Sequence, residues 1–130
     1  MAKRILVVDD EPDIRRLVAE ALQSSGYDVQ TAANGGEAVR TATLFLPDLV
    51  LLDIMMPDMD GFTVYEKLRD RPCELRSPII FLTARREIND KLLGFEKGAA
   101  DYVTKPFHIK ELIARVKVHL GELGPPKGDT

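Results

Sequence analysis

The sequence predicts a single α/β domain in which helices cover both faces of a doubly wound, five-stranded parallel sheet. Short apolar segments alternate with segments of helical periodicity along the 130 residues, and such alternation gives parallel strands joined by right-handed crossovers. Residues 49–52, Leu-Val-Leu-Leu, are apolar without a break, which is typical of a strand buried on both sides. A chain of this length usually forms one domain.

The first half of the chain predicts three strands and two helices. Pro12 suits the first turn of a helix, because its missing N–H would have no partner there, and Asn34 suits the position before a helix. Ile14, Leu17 and Val18 begin an apolar stripe with helical spacing. The predicted elements are a strand at Arg4–Val8, a helix from residue 12 to about 26, a strand at 27–32, a helix at 35–46 and a strand at 48–53.

The second half predicts two strands and three helices. The fifth strand is expected to be very short, at Tyr102 and Val103, and residues 1–121 are expected to form the domain. Residues 122–130, rich in glycine and proline, predict a flexible tail or the start of a linker. The predicted elements are a weak helix at 61–71, a strand at 78–82, a helix at 88–97, the short strand and a last helix at 109–120.

The composition is that of an ordinary globular domain and excludes some classes of function. The net charge of -3 and the sequence pI of about 5.4 argue against nucleic-acid binding by the domain itself. No stretch is long and apolar enough for a membrane span, and no signal peptide is apparent at the N-terminus. The single cysteine, Cys73, suits a reducing compartment, so we expect a cytoplasmic protein that makes no contact with a membrane.

Polar residues follow four of the predicted strands. Asp9 and Asp10 end the first, Asp53 the third and Thr83 the fourth, and Lys105 follows the fifth. Parallel strands share one direction, so these residues are expected at one edge of the sheet. The half-Rossmann topology and the flavodoxin-like strand order 2-1-3-4-5 compete, and in the second the first and third strands are neighbours at the switch point. The turn after the first strand lacks the glycines that a dinucleotide requires, so that ligand is disfavoured.

This grouping predicts phosphoryl chemistry. Converging carboxylates repel one another unless a cation joins them, and hard oxygen ligands suit Mg²⁺. Asp53 beside such an ion can attack phosphorus and form an aspartyl phosphate, whose oxygens Lys105 and Thr83 would contact. Two other functions fit the residues: a Mg²⁺-dependent phosphohydrolase with Asp53 as nucleophile, and a flavodoxin-like cofactor binder, which the acidic rim disfavours.

Four stretches resemble the receiver domain of two-component response regulators, the CheY-like superfamily, from residue 3 to about 121. The resemblance implies the flavodoxin-like order 2-1-3-4-5 and a signalling switch, which is not a metabolic enzyme. The stretches are Val7-Val8-Asp9-Asp10-Glu11, residues 48–57 (Asp-Leu-Val-Leu-Leu-Asp-Ile-Met-Met-Pro) with Asp60-Gly61, Leu82-Thr83-Ala84, and residues 98–107 (Gly-Ala-Ala-Asp-Tyr-Val-Thr-Lys-Pro-Phe).

The resemblance assigns the phosphoacceptor and the metal ligands. Asp53 would accept phosphate from the phosphohistidine of a sensor histidine kinase or a phosphotransfer protein. Mg²⁺ would be held by Asp10 and Asp53, with help from Asp9 and the backbone carbonyl of Met55. Asp58-Met59-Asp60-Gly61 also matches the Asp-x-Asp-Gly motif of haloacid-dehalogenase phosphatases, but there the motif directly follows a buried strand, and here it follows Pro57 in a loop.

The resemblance also assigns residues that respond to the phosphoryl group. Thr83 and Lys105 would contact it, and Thr83 with Tyr102 would form the switch pair, with Tyr102 turning inward when Thr83 moves. The Lys105–Pro106 peptide bond is expected to be cis. The sequence leaves the output open: a DNA-binding, cyclase or phosphodiesterase domain, or no output domain. The two histidines, His108 and His119, are expected to be solvated surface residues.

A phosphorylation-dependent homodimer is implied through the fourth predicted helix, the fifth strand and the last helix. Ala100 and Glu122 depart from the branch of the family with winged-helix outputs, so one of its intersubunit ion pairs should be missing. Across the dimer the resemblance pairs Lys91 with Glu111, Asp101 with Arg115, and Glu96 with Lys117. The candidates for the apolar centre are Leu92, Phe95 and Ile113, and the alternative is that these three residues belong to the core of the domain.

Overall fold

The computed structural model describes residues 2–84 and 99–122, and these residues confirm the predicted fold class. Five parallel strands form one sheet in the order β2-β1-β3-β4-β5. The strands are β1 (Arg4–Val8), β2 (Asp28–Ala32), β3 (Leu49–Asp53), β4 (Ile79–Ala84) and β5 (Asp101–Lys105), and the helices are α1 (Pro12–Ser24), α2 (Gly35–Phe45), α3 (Gly61–Arg69) and a C-terminal helix (Ile109–His119).

Two parts of the prediction fall outside the described residues: the helix expected at residues 88–97 and most of the tail at 122–130. The fifth strand is longer than predicted, because β5 pairs along its whole length with residues 80–84 of β4. No helix in the described ranges is long and apolar enough to cross a membrane. The Lys105–Pro106 peptide bond is cis, as expected, and Arg71–Pro72 is also cis.

The sheet separates two apolar clusters, and this explains the unbroken apolar sequence of β3. Side chains alternate between the two faces of a strand, so Leu49 and Leu51 join one cluster while Val50 and Leu52 join the other. All five residues of β3 are buried. Helices α2 and α3 cover one face through Ala38, Ala42, Val64 and Leu68, and α1 and the C-terminal helix cover the other through Val18, Leu22, Leu112 and Val116.

Side-chain caps fix the loops at the carboxyl edge of the sheet. Asn34 accepts a hydrogen bond from the Glu37 N–H at the start of α2, and Asp60 accepts one from the Thr63 N–H at the start of α3. The Asp58 carboxylate accepts from the N–H groups of Gly35 and Gly36, at 2.9 and 3.0 Å. Both carboxylates of the Asp-x-Asp-Gly segment therefore bind backbone N–H groups at helix ends.

Gly61 lets α3 begin directly against the end of β3. A Cβ at this position would lie 2.6 Å from the backbone oxygen of Asp53 and 2.8 Å from the Cα of Ile54. The Gly61 N–H donates to the Ile54 carbonyl at 2.7 Å, so the close approach is also hydrogen-bonded. The backbone around Asp53 thus depends on the absence of a side chain eight residues later.

Gly61→Ala should lower the free energy of unfolding by about 1–3 kcal/mol, because backbone atoms must shift to admit the methyl group. Gly36→Ala is the matched control, since its nearest neighbours would lie 3.5 Å or more from the added Cβ. The control should be neutral or stabilising by up to about 1 kcal/mol, as alanine favours helices. Urea denaturation of both variants measures the difference, and equal stabilities would contradict this account of Gly61.

Candidate functional site

The strand register brings the predicted site residues to one edge of the sheet. Val8 of β1 pairs with Leu52 of β3, so the next residue on each strand, Asp9 and Asp53, lies at the same level. Asp53 pairs in turn with Leu82 of β4, and Lys105 ends β5 opposite Ala84. The site is therefore at the carboxyl ends of the strands, beside the switch point of the sheet.

Three carboxylates form the centre of the site. Asp9, Asp10 and Asp53 each place an oxygen within 4.8 Å of the other two. Asp9 is fully buried, Asp53 is only 4% exposed and Asp10 is half-buried. The Glu11 N–H donates to Asp9 Oδ1 at 2.9 Å, and the Met55 N–H approaches Asp53 Oδ1 at 3.3 Å. The chain following each strand therefore helps to orient the carboxylate at its end.

Lys105 is the cation that faces this cluster. Its Nζ lies 2.8 Å from Asp9 Oδ2, 2.9 Å from Glu11 Oε1 and 3.6 Å from Asp53 Oδ2. The contact with Asp9 is an ion pair without hydrogen-bond alignment, whereas the contact with Glu11 is a hydrogen bond. Burial alone would lower the pKa of Lys105, but its contacts with Asp9 and Glu11 and the charge of Asp53 outweigh burial and raise that pKa.

The Asp53 carboxyl has a pKa raised to about 7. Burial is the largest cause and the charge of Asp9 the next; the charge of Lys105 and the Met55 N–H act in the opposite direction. The unfolded chain has the ordinary value of 3.8, so between about pH 4 and pH 7 the folded state binds the extra proton. The contribution of Asp53 to the free energy of unfolding is therefore greatest at low pH and falls as the pH rises towards 7.

The donor set fits a hard divalent cation. Asp9, Asp10 and Asp53 offer converging carboxylate oxygens, and their negative charge exceeds the single positive charge of Lys105. Oxygen ligands of this kind suit Mg²⁺, which commonly binds through one or two carboxylates and keeps several waters. The charge imbalance and the raised pKa of Asp53 have one origin, namely carboxylates held together out of solvent.

Thr83 and Tyr102 lie on the same face of the sheet. Thr83 is buried, and its hydroxyl donates to the Ala84 carbonyl at 3.0 Å. Tyr102 is half-buried, and its ring stacks on Phe81 with the centroids 6.0 Å apart and the planes 8° from parallel. Tyr102 pairs with Phe81 in the β4–β5 register, and Thr104 pairs with Thr83. The predicted switch residues therefore occupy neighbouring positions on two paired strands.

Asp101 and Arg115 pair within one chain, which differs from the pairing predicted between two chains. Arg115 Nη1 lies 2.9 and 2.8 Å from the two Asp101 oxygens, and His119 Nε2 lies 3.1 Å from Oδ2. Burial acts to raise the pKa of Asp101, but the hydrogen bonds from Arg115, the Tyr102 N–H and His119 lower it overall. His119 is half-buried and contacts Asp101, whereas His108 is exposed, as predicted.

The other predicted interface residues are only partly within the described chain. Ile113 packs against the apolar cluster beneath α1, which places it partly in the core. The Lys117 ammonium lies 5.8 Å from the centroid of the Tyr27 ring, and Arg115 also contacts Glu111 at 3.4 Å. The four candidates outside the described residues are Lys91, Leu92, Phe95 and Glu96.

Sequence reasoning missed two contacts that shape the site. It gave Glu11 no role, yet Glu11 binds Lys105 across 94 residues of chain. It also missed Arg15, whose guanidinium donates to the Asp9 carbonyl at 2.7 Å. The one available signal was position, since Glu11 directly follows the two aspartates and Arg15 lies one helical turn later.

The chain belongs to the response regulator receiver domain family. The family model for this domain matches residues 5–117. The fold and the acidic cluster at its carboxyl edge agree with this class of signalling domain.

Individual relatives support the same assignment. The chain is 46% identical over 117 residues to the DNA-binding dual master transcriptional regulator RpaA of Synechocystis, covering 90% of this chain and 48% of the relative. It is 48% identical over 131 residues to the alkaline phosphatase synthesis transcriptional regulatory protein PhoP of Bacillus subtilis, covering 99% and 54%. The chain thus spans about half the length of these curated relatives.

A solved structure agrees as well. The crystal structure of a putative response regulator from Chloroflexus aurantiacus superposes with a TM-score of 0.83 at 38% identity, covering 93% of this chain and 99% of that one. A CheY-like receiver domain protein from Methanospirillum hungatei superposes with a TM-score of 0.82 at 30% identity, covering 94% and 96%.

Mg²⁺ should raise the melting temperature, and the gain should be larger near pH 8 than near pH 6. A ligand of the folded state stabilises it by mass action, and near pH 6 the cation must displace the proton of a carboxyl whose pKa is about 7. Thermal unfolding with and without millimolar Mg²⁺ at the two pH values measures the gain.

Two variants serve as controls for this experiment. Asp10→Asn should reduce the gain in melting temperature, because it removes one carboxylate of the cluster. Asp13→Asn should keep the full gain, because it removes an exposed carboxylate outside the cluster. An unchanged wild-type melting curve, or gains that do not depend on pH, would count against the metal site.

Proposed function

We propose that this chain is a phosphoacceptor switch of a two-component phosphorelay, with Asp53 as the residue that is phosphorylated. The observation that carries this proposal is the position of the Asp53 carboxylate, which is buried beside Asp9 and Asp10 with Lys105 Nζ 3.6 Å away. Membership of the receiver family supports it. The phosphodonor would be the phosphohistidine of a sensor histidine kinase or of a phosphotransfer protein.

In the proposed reaction an oxygen of Asp53 bonds to phosphorus as the P–N bond of the phosphohistidine breaks. The leaving imidazole takes a proton from solvent, and the phosphoryl group stays on the carboxylate. Asp53 must be deprotonated to attack phosphorus. Because its pKa is about 7, a large fraction of the metal-free chain carries a protonated, unreactive Asp53 near neutral pH.

The residues around Asp53 have separate proposed roles. Asp9, Asp10, Asp53 and the Met55 backbone carbonyl would hold Mg²⁺, which when bound would offset the negative charge between carboxylate and phosphate. Lys105 supplies a positive charge for the phosphoryl oxygens. Its ammonium lies 3.6 Å from Asp53 Oδ2.

Thr83 and Tyr102 are proposed to carry the response away from the site. The Thr83 hydroxyl would leave the Ala84 carbonyl to donate to the phosphoryl group, and Tyr102 would adjust beside it. Tyr102 packs on Phe81 of the neighbouring strand, so a movement of β4 would be transmitted to its ring. Asp101, the residue before Tyr102, links this strand to the C-terminal helix through Arg115.

The proposed receiver domain covers residues 1–121. Because the relatives RpaA and PhoP are transcriptional regulators about twice as long, we extend the proposal to regulation of transcription by a further domain of the whole protein. Nucleic-acid binding is not assigned to the domain itself, because the 130-residue chain has a net charge of -3. A cytoplasmic location, predicted from the single cysteine, is part of the same proposal.

A small phosphodonor with Mg²⁺ should modify Asp53 and no other residue. Intact-mass analysis should find a single phosphoryl adduct on the wild type and none on Asp53→Asn, since the amide is not a nucleophile for phosphorus. Asp58→Asn is the matched control: Asp58 lies in the same loop region but binds the N–H groups that begin α2, so its variant should keep the adduct. A wild-type yield of adduct on Asp53→Asn would refute the assignment.

Phosphorylation is also proposed to favour a homodimer through β5 and the C-terminal helix, with the predicted residues 91–96 alongside. Exposed ion pairs contribute about 0.2–1 kcal/mol each, while a micromolar dimer requires about 8 kcal/mol. In this chain Asp101 already binds Arg115, so replacing that contact by one with Arg115 of a second chain adds little free energy of association. The dimer should therefore be weak and sensitive to salt.

Sedimentation velocity with and without a phosphoryl mimic, at low and high salt, tests the dimer. The expected result is a mimic-dependent increase in sedimentation coefficient at tens of micromolar chain that high salt reduces, because screening weakens exposed charge pairs. Asp53→Asn is the control that should stay monomeric with the mimic. A wild type that stays monomeric at the same concentration would exclude dimerisation as the output of this domain.

A further inference from the structure

Glu11 makes the best-aligned contact of the Lys105 ammonium. The Nζ–Oε1 distance is 2.9 Å with hydrogen-bond geometry, whereas the 2.8 Å approach to Asp9 Oδ2 lacks that alignment and Asp53 is 3.6 Å away. The side chain of Lys105 is 17% exposed and that of Glu11 is 59% exposed. An accessible carboxylate at the rim therefore binds the cation that faces the buried acids.

The backbone of Glu11 is fixed while its carboxylate is not used for local structure. Its N–H donates to Asp9 Oδ1, and its carbonyl accepts from the Arg15 N–H in the first turn of α1. Glu11 is the residue before α1, where a side chain usually accepts a hydrogen bond from the helix, yet it makes no such bond. The carboxylate extends to Lys105 instead.

We propose that Glu11 is a positioning residue that holds Lys105 in the unphosphorylated chain and opposes phosphorylation of Asp53 by competing for that ammonium group. This inference rests on the proposed function. Phosphoryl oxygens on Asp53 would attract Lys105 and so compete with Glu11 for its ammonium. The carboxylate of Glu11 would then lose its partner and return to solvent.

The free-energy cost of losing the Glu11–Lys105 contact sets how strongly Glu11 opposes phosphorylation of Asp53. Exposed ion pairs are weak, so releasing Lys105 from Glu11 should favour the phosphorylated form by about twofold to fivefold. The carboxylates of Asp9 and Asp10 are not interchangeable with Glu11, because they are proposed metal ligands. Glu11 thus adjusts how readily the site accepts a phosphoryl group without taking part in the reaction.

Two substitutions separate the ion pair from the charge. Glu11→Gln removes the negative charge, while Glu11→Asp keeps it on a side chain one methylene shorter, which suits capping α1 better than reaching Lys105. The matched control is Asp13→Asn, which removes an exposed negative charge two residues away in the first turn of the same helix.

The test is the affinity of the Mg²⁺-loaded protein for beryllofluoride, a phosphoryl mimic, measured by ¹⁹F NMR titration with thermal unfolding as a check on folding. Both Glu11 variants should bind beryllofluoride about twofold to fivefold more tightly than the wild type, and Asp13→Asn should bind like the wild type. High salt should shrink the difference, because it screens the Glu11–Lys105 pair in the wild type.

Other outcomes overturn the inference. If Glu11→Gln and Asp13→Asn bind more tightly to the same extent while Glu11→Asp does not, the general charge controls affinity and Glu11 has no special role. Equal or weaker binding by both Glu11 variants also refutes the competition. If the wild type itself does not bind beryllofluoride, the proposed phosphoacceptor function fails as well, so the two failures are distinguishable.

Discussion

Asp9 and Asp53 are almost completely removed from solvent, and the Lys105 ammonium lies 2.8 Å from the first and 3.6 Å from the second. Burying two carboxylates beside a single ammonium group is unfavourable, so the surrounding structure must hold these groups in place. Burial of a large aliphatic side chain stabilises a fold by about 1.5–3 kcal/mol, and the strands beneath the site are buried on both faces. The apolar sheet therefore maintains a site that would otherwise open to water.

The same constraint explains how such a site can respond to modification. Burial and then the charge of Asp9 raise the pKa of Asp53, while Lys105 is shared among three carboxylates. Any change in charge at Asp53 alters this balance. Strand β4, in which Thr83 is buried, pairs directly with β3, and β5, in which Tyr102 stacks on Phe81, pairs with β4.

Most of the fold could be predicted because apolar periodicity and turn residues are properties of short segments. The unbroken apolar run of β3 and the proline at the start of α1 place those elements at the positions found in the structure. The extent of β5 could not be predicted, because only Val103 is fully apolar and buried and the strand exists through its pairing with β4. The resemblance to receiver domains supplied the strand order.

The sequence predicts which residues lie together at the candidate site, because parallel strands bring their carboxyl ends to one edge of the sheet. Contacts that depend on side-chain direction were not predictable. Lys105 binds Glu11, Arg115 binds Asp101 in its own chain, and Asp58 caps a helix. In each case the sequence pattern does not distinguish the observed partner from other residues of suitable charge. Only the folded geometry selects among them.

A switch retains the phosphoryl group on Asp53 as a signal, whereas a phosphohydrolase using the same nucleophile releases it, and we propose that this chain does the former. Phosphate release should be followed over time with excess small phosphodonor and Mg²⁺, beside the fraction of chain that carries the adduct. We expect most chains to become phosphorylated and phosphate then to appear slowly, limited by loss from Asp53. Rapid, repeated release of phosphate with no accumulated adduct would instead assign the chain to the hydrolases.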